Sequence, residues 1–224
     1  MRSALLILLV ALGLVAAGCG SSSSESTDTQ TGSTDTTASS DGCTDVAVPA
    51  AKEDGGATKP TERLDPEKTY KLVVKTNCGS FTITLDQAGA PATSASLVSL
   101  AKTGFFDNTT FHRIVPDFVI QGGDPTGTGT GGPGYKTVDK PAADATYTKG
   151  VVAMAKTEDE PPGTSGSQFF VVTGDTVRLD PLYAIVGKVT SGQETVDLIG
   201  TLGDPTTEQP TRPVVIESVT VEEQ

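Results

Sequence analysis

The sequence predicts an all-β dominated domain, a closed barrel with helical plugs, behind an export and anchoring region. Three observations predict it. Short apolar or alternating runs recur through residues 66–224, and only two segments there have helical spacing. The 25 glycines and 14 prolines supply many turns.

The elements follow in chain order. Tyr70–Lys75 (YKLVVK) and Ser80–Leu85 (SFTITL) are β-rich, and the second alternates cleanly. Asn77-Cys78-Gly79 lies between them as a turn, so the pair reads as a hairpin. Pro91 suits the first position of a helix. Leu97, Val98 and Ala101 keep helical spacing, and Gly104 can close the C-terminus. Phe111–Val115 and Phe118–Gln121 read as short strands broken at Pro116, and Asp124–Tyr135 as a long Gly/Thr/Pro loop. Val151–Ala155, Gln168–Val172 and Ala184–Val189 are further short strands, Gln193–Ile199 a second helix, and Val214–Val221 a closing strand. No internal repeat is visible.

The N-terminal region reads as processing and tether. Arg2 precedes an unbroken apolar run, Ala4–Ala17, which falls short of the ~20 residues of a spanning helix and suits a signal peptide. It ends in Ala16-Ala17-Gly18-Cys19, which resembles a bacterial lipobox, although Ala stands where Leu is commoner. Residues 1–18 are therefore expected to be a lipoprotein signal, with Cys19 acylated. Two acyl chains are about what stable anchoring needs. The other reading is an ordinary secretory signal with a chance cysteine. Residues 19–65, rich in Ser, Thr, Asp and Gly and then in Pro and Ala, read as a flexible tether. Residues 66–224 are long enough for one domain. The expected location is the extracytoplasmic face of the cell membrane.

Composition removes some partners. The net charge is −12 and no basic run occurs, so nucleic acid is excluded as a ligand. No cysteine or histidine spacing suits a metal. With Cys19 lipidated, Cys43 and Cys78 remain. Outside the cytoplasm such a pair tends to oxidise, and a bridge across 35 residues is worth roughly 4 kcal/mol in the chain-entropy picture. Two free thiols are the alternative.

The richest segment is Phe111-His112-Arg113-Ile114-Val115-Pro116-Asp117-Phe118-Val119-Ile120-Gln121-Gly122-Gly123-Asp124, joined by Gly166-Ser167-Gln168-Phe169-Phe170-Val171. Together these resemble the two signature stretches of the cyclophilins. Gly129-Thr130-Gly131-Gly132, Met154-Ala155, Leu179-Asp180 and Val186-Gly187-Lys188-Val189 match further landmarks in order. The likeness spans about Tyr70 to Val221. It implies an eight-stranded antiparallel barrel, closed and capped by two helices, with a groove for an X-Pro segment. It implies peptidyl-prolyl cis-trans isomerase activity without metal or cofactor, in a monomer. The substrates would be proline-containing peptides and unfolded exported proteins, and the membrane would be reached through the lipid anchor.

Carried across position by position, the resemblance makes Arg113 the catalytic group. Phe118, Val119, Phe170 and Leu179 become the proline pocket, and Gln121 a contact to both the arginine and the substrate backbone. Ala155 and Lys156 are expected to pair with the substrate as an added strand. Tyr183 stands where many eukaryotic members have His. Three departures from the pattern bear on specificity. Arg178 replaces a common Trp, which implies weak cyclosporin binding. Val119 replaces a commoner Met. Lys156–Ser165 is longer and more acidic than in familiar cytosolic members.

Taken singly these residues have blander readings. Phe118, Phe169 and Phe170 would be core aromatics, Arg113 a surface charge and His112 a structural histidine. Adjacent strand residues face opposite sides, so His112 and Arg113 should not line one groove together. The ordered co-occurrence favours the site. A dinucleotide loop at Gly127–Gly132 fails because Pro133 and Gly134 preclude the following helix. A serine hydrolase fails for want of G-x-S-x-G. The competing function is a binding module or chaperone on the same fold with little catalysis; a surface scaffold is the third.

Overall fold

A computed structural model describes residues 42–224. The expected signal peptide, the lipidation at Cys19 and the first part of the tether lie outside the described residues.

The elements run β1 (Tyr70–Thr76), β2 (Gly79–Leu85), α1 (Pro91–Lys102), β3 (Thr109–Thr110), β4 (Arg113–Val115), β5 (Val119–Gly122) and β6 (Thr137–Val138). There follow β7 (Tyr147–Thr148), β8 (Val151–Met154), β9 (Thr164–Ser165), β10 (Phe169–Val172) and β11 (Thr176–Val177). The chain ends with β12 (Ile185–Ser191), α2 (Gln193–Gly200) and β13 (Val215–Glu223). Nine strands form one sheet in the order β3-β13-β1-β2-β12-β8-β10-β5-β4, and two small ladders, β7–β11 and β6–β9, lie beside it. Every pairing is antiparallel.

The expected closed barrel of eight strands is corrected here. The sheet has nine strands and is curled and open. Its edges, β3 and β4, are successive pieces of one run, residues 109–115, interrupted at Phe111-His112. The run changes partners at this interruption: it pairs with β13 through its first half and with β5 through its second. In the gap, Phe111 N donates to Val214 O (2.9 Å), and just beyond it Ile114 N donates to Glu208 O (2.8 Å).

The central strands are apolar at nearly every position because both faces are covered. Ile120, Met154, Phe169 and Val171 point into the main core with Phe81, Phe106 and Phe111. Their neighbours Val119, Ala153, Phe170 and Val172 point the other way, into a second cluster with Tyr147. Phe111 is 0% exposed and meets the Phe169 ring edge-on at 6.0 Å. This period of two separates Phe169, a core residue, from Phe170, which faces the groove.

α1 begins at Pro91 as expected, and its first turn is capped from a distance: the Asp139 carboxylate accepts from Thr93 N (2.6 Å). A carboxylate there satisfies orphan donors and meets the positive end of the helix. Gly104, at φ 67°, follows the C-cap residue Thr103.

The segment 42–65 differs from the expected tether. It has no regular secondary structure beyond an isolated bridge residue, yet it runs along the domain as a strap. A Cys43–Cys78 disulfide pins its start. Thr44 N donates to Asn77 O (2.7 Å), and Asp45 pairs with Arg212. The half-buried Lys52 ammonium donates to Gly104 O (3.1 Å) and Phe105 O (2.9 Å), just past the C-terminus of α1. The Pro-Gly-Ala composition gave no periodicity to read, and the bonds that hold the strap go to residues far away in sequence.

Candidate active site

Arg113 sits on β4 directly opposite Gln121 on β5, which in turn lies opposite Phe170 on β10. The register thus places a cation, an amide and an aromatic ring in a row across three strands. Between β4 and β5, Phe118 N donates to Val115 O (3.1 Å), closing a turn with Pro116 in its second position and Asp117 at φ 56° in its third. Proline presets the φ of that second position, and Asp is one of the few side chains that tolerate the third. This tight reversal presents Phe118 beside Val119.

All nine residues named from the sequence, Arg113, Phe118, Val119, Gln121, Ala155, Lys156, Phe170, Leu179 and Tyr183, line one hollow of about 300 Å³. Glu158 completes its lining. Val119 and Phe170 form a buried floor. The Tyr183 ring stands edge-on to Phe170 at 5.6 Å. A second hollow of about 180 Å³ adjoins the first and shares Gln121, Ala155 and Lys156 with it.

The polar groups form a chain of contacts. Arg113 Nη1 donates to Gln121 Oε1 (3.4 Å), and Gln121 Nε2 donates to Gln168 Oε1 (3.0 Å). Gln168 Nε2 donates to Gly129 O and Gly131 O, both at 2.9 Å. On its other side Arg113 Nε donates to Glu208 Oε2 (2.7 Å). Only some of the five guanidinium donors are spent in this way, and the group still faces the hollow.

Glu208, Gln168, Tyr147 and Glu158 carried no role in the sequence reading. Glu208 lies 95 positions beyond Arg113 in a loop with no pattern of its own. Tyr147 is buried, and its hydroxyl donates to Tyr183 O (2.8 Å) and accepts from Tyr183 N (3.1 Å), fixing that rim residue. Gln168 lies within the Gly166–Val171 segment, but its contacts run to Gln121 and to the carbonyls of Gly129 and Gly131, residues far away in sequence.

His112 turns away from the hollow, toward Gly129, as strand alternation requires. Its ring nitrogens are buried without a hydrogen-bond partner. Burial holds its pKa below the usual 6.5; Asp124 pulls it upward and the Arg113 charge pushes it down. Burial works to raise the Asp124 pKa, but N–H groups of Thr126, Gly131 and Gly129 and the Thr126 hydroxyl outweigh it and hold the carboxyl below its ordinary range. Asp124 thereby shapes the glycine-rich loop that follows it. Among the described residues, no group of three or more His, Cys, Asp or Glu could hold a metal ion.

Residues 71–221 match the family described as cyclophilin type peptidyl-prolyl cis-trans isomerase. A probable peptidyl-prolyl cis-trans isomerase A of Mycobacterium leprae is 40% identical over 164 residues, covering 65% of this chain and 88% of that one. A peptidyl-prolyl cis-trans isomerase-like 1 of Aspergillus oryzae is 43% identical over 129 residues, 56% of this chain and 78% of that one. The solved cyclophilin type isomerase of Cryptosporidium parvum, crystallised in the presence of the dipeptide Ala-Pro, is 30% identical with a TM-score of 0.63; the match covers 68% of this chain and 98% of that one. With the arginine, the amide and the apolar hollow in one place, the chain belongs to the cyclophilin-type peptidyl-prolyl cis-trans isomerases.

Proposed function

We propose that Arg113 is the catalytic group and that the 300 Å³ hollow receives the proline ring. Rotation about a peptide bond costs ~18–20 kcal/mol because the nitrogen lone pair is shared with the carbonyl. No bond breaks, so a nucleophile has nothing to do. In the twisted state the prolyl nitrogen regains its lone pair and becomes a hydrogen-bond acceptor. A guanidinium beside it stabilises the twisted form and not the planar one, which lowers the barrier. Typical turnover needs roughly 3–7 kcal/mol of such help. Phe118, Val119, Phe170 and Leu179 take the ring and exclude water, while Gln121 orients the arginine.

One observation carries this reading: Arg113 and its Gln121 partner share a single hollow with a buried apolar floor. The test is a protease-coupled assay of a proline peptide with the full chain and with Arg113→Ala. The variant is expected to lose roughly a hundredfold or more in kcat/KM with an unchanged circular dichroism spectrum. Arg113→Lys should recover little, because an ammonium lacks the planar fork. Equal rates in wild type and Arg113→Ala would end the assignment.

The proposed substrates are unfolded exported chains, met at the extracytoplasmic face of the membrane by a monomer tethered through lipid on Cys19. The apolar run Ala4–Ala17, the small residues before Cys19 and the disulfide, a bond that persists in oxidising compartments, support this location. Slow X-Pro rotation limits folding there as elsewhere. Cys19→Ala should move the chain from the membrane fraction to the soluble fraction; retention in the membrane would remove the anchor from the account.

A further inference from the structure

The matched family region begins at residue 71, so the strap of residues 42–65 is an addition to the shared domain. Its middle part, residues 52–59, does more than cover the surface. Lys52 N donates to Pro125 O (2.9 Å), Gly55 N to Gly132 O (2.9 Å) and Ala57 N to Pro133 O (3.1 Å). Gly132 N donates in return to Asp54 Oδ1 (2.7 Å), and Lys59 Nζ donates to Lys136 O (2.7 Å). Five hydrogen bonds therefore fasten the outer side of the loop 125–136 to the strap.

The inner side of that loop belongs to the groove. Gly129, Thr130, Gly131 and Lys136 form one wall of the 180 Å³ hollow, and Lys156, Thr157 and Glu160 line it as well. Lys136 Nζ reaches Glu160 at 2.8 Å. Gly129 O and Gly131 O hold Gln168, which holds Gln121, which holds Arg113. The loop carries glycine at 127, 129, 131, 132 and 134, a composition with little conformational preference of its own. Its shape is set by what holds it: Asp124 from within, Gln168 from the groove and the strap from outside.

We propose that the strap is a positioning element of the enzyme, fixing the far wall of the second hollow and so setting which residues next to the proline are accepted. The claim rests on the assignment of the first hollow to proline. A peptide laid with its ring there continues past Gln121, Ala155 and Lys156, which both hollows share, and its neighbouring side chain meets the wall the strap holds. The strap residues touch no substrate; they act through the loop.

The test uses the full chain and proline peptides in which each of the two residues before proline is varied through Gly, Ala, Leu, Phe, Glu and Lys. Asp54→Ala/Lys59→Ala removes two exposed side-chain bonds to the loop and leaves the disulfide and the core intact. The ratio of kcat/KM between bulky and small flanking residues is expected to change at least threefold, carried by KM. With Ala-Pro peptides kcat should stay within twofold, and Tm should hardly move. Asp54→Asn with Lys59 retained keeps the acceptor and should restore the wild-type profile. Cys43→Ser/Cys78→Ser should shift selectivity further in the same direction. A uniform change across the series, or none, in the Asp54→Ala/Lys59→Ala chain would make the strap a stabilising feature only and overturn the proposal. Failure of the underlying proline-site assignment would look different, since Arg113→Ala would then keep its turnover on every peptide.

Discussion

At the scale of single residues, the proposed mechanism depends on where one guanidinium is held. Arg113 is clamped from two sides: Gln121 takes Nη1, and Glu208 takes Nε in a partly exposed ion pair. A pair of that exposure adds little to stability, at most about 1 kcal/mol. Its effect should therefore appear in turnover. Glu208 itself is held at φ 59°, a conformation unfavourable for its side chain, and its backbone N–H and C=O are bonded to Asp204 O and Ile114 N. The loop is thus fixed to β4, the strand that carries the arginine. Glu208→Ala is expected to lower kcat/KM about tenfold, the order of one charge-assisted hydrogen bond, with Tm nearly unchanged. Glu208→Gln keeps an acceptor and should lie between. Unchanged or faster turnover in Glu208→Ala would show that the carboxylate plays no part in aiming the guanidinium.

At the scale of elements, legibility followed the range of the interactions. The β1–β2 hairpin was plain in the sequence because alternation and a turn lie within sixteen residues, and the register pairs Lys71 with Thr84 as that turn requires. Both helices appeared where Pro91 and the 193–199 pattern placed them. The two-residue strands β3, β6, β7, β9 and β11 were invisible, since two residues carry no period and only their distant partners make them strands. The candidate site was legible because five of its nine residues lie in two dense segments whose order is distinctive, and the other four lie at or near the shorter landmarks Met154-Ala155 and Leu179-Asp180. Its supports were not: Asp139 caps α1 from 46 positions away, and Glu208 reaches Arg113 from 95. The strap was misjudged for the same reason. Its composition is that of a linker, and its order comes from a bridge to Cys78 and bonds to backbone groups at 104, 105, 125, 132, 133 and 136. Closing a loop of 35 residues contributes roughly 4 kcal/mol to the folded state and fixes the start of the strap, while its bonds to the domain hold the rest.

At the scale of the whole molecule, stability should depend on pH through the chain's one histidine. Burial depresses the His112 pKa in the folded state below 6.5, the value expected when unfolded. Between the two values the unfolded chain binds more protons, so unfolding is favoured as pH falls. The stabilising contribution is complete above about pH 6.5 and is lost as pH drops toward the folded value. Tm should therefore decline from pH 7.5 to 5 in the wild type, and the slope should flatten in His112→Asn. A slope identical in both chains would assign the decline to other groups. The order of strands in the sheet has one more outcome, for biosynthesis. β13, residues 215–223, lies between β3 and β1, and the pair Thr69–Gln224 closes its far end with bonds of 2.8 and 3.0 Å. A polypeptide emerging from the ribosome has made β1 and β3 more than a hundred residues before the strand that joins them. Until residues 215–223 are made, neither has its shared neighbour, and the sheet cannot take its nine-stranded order.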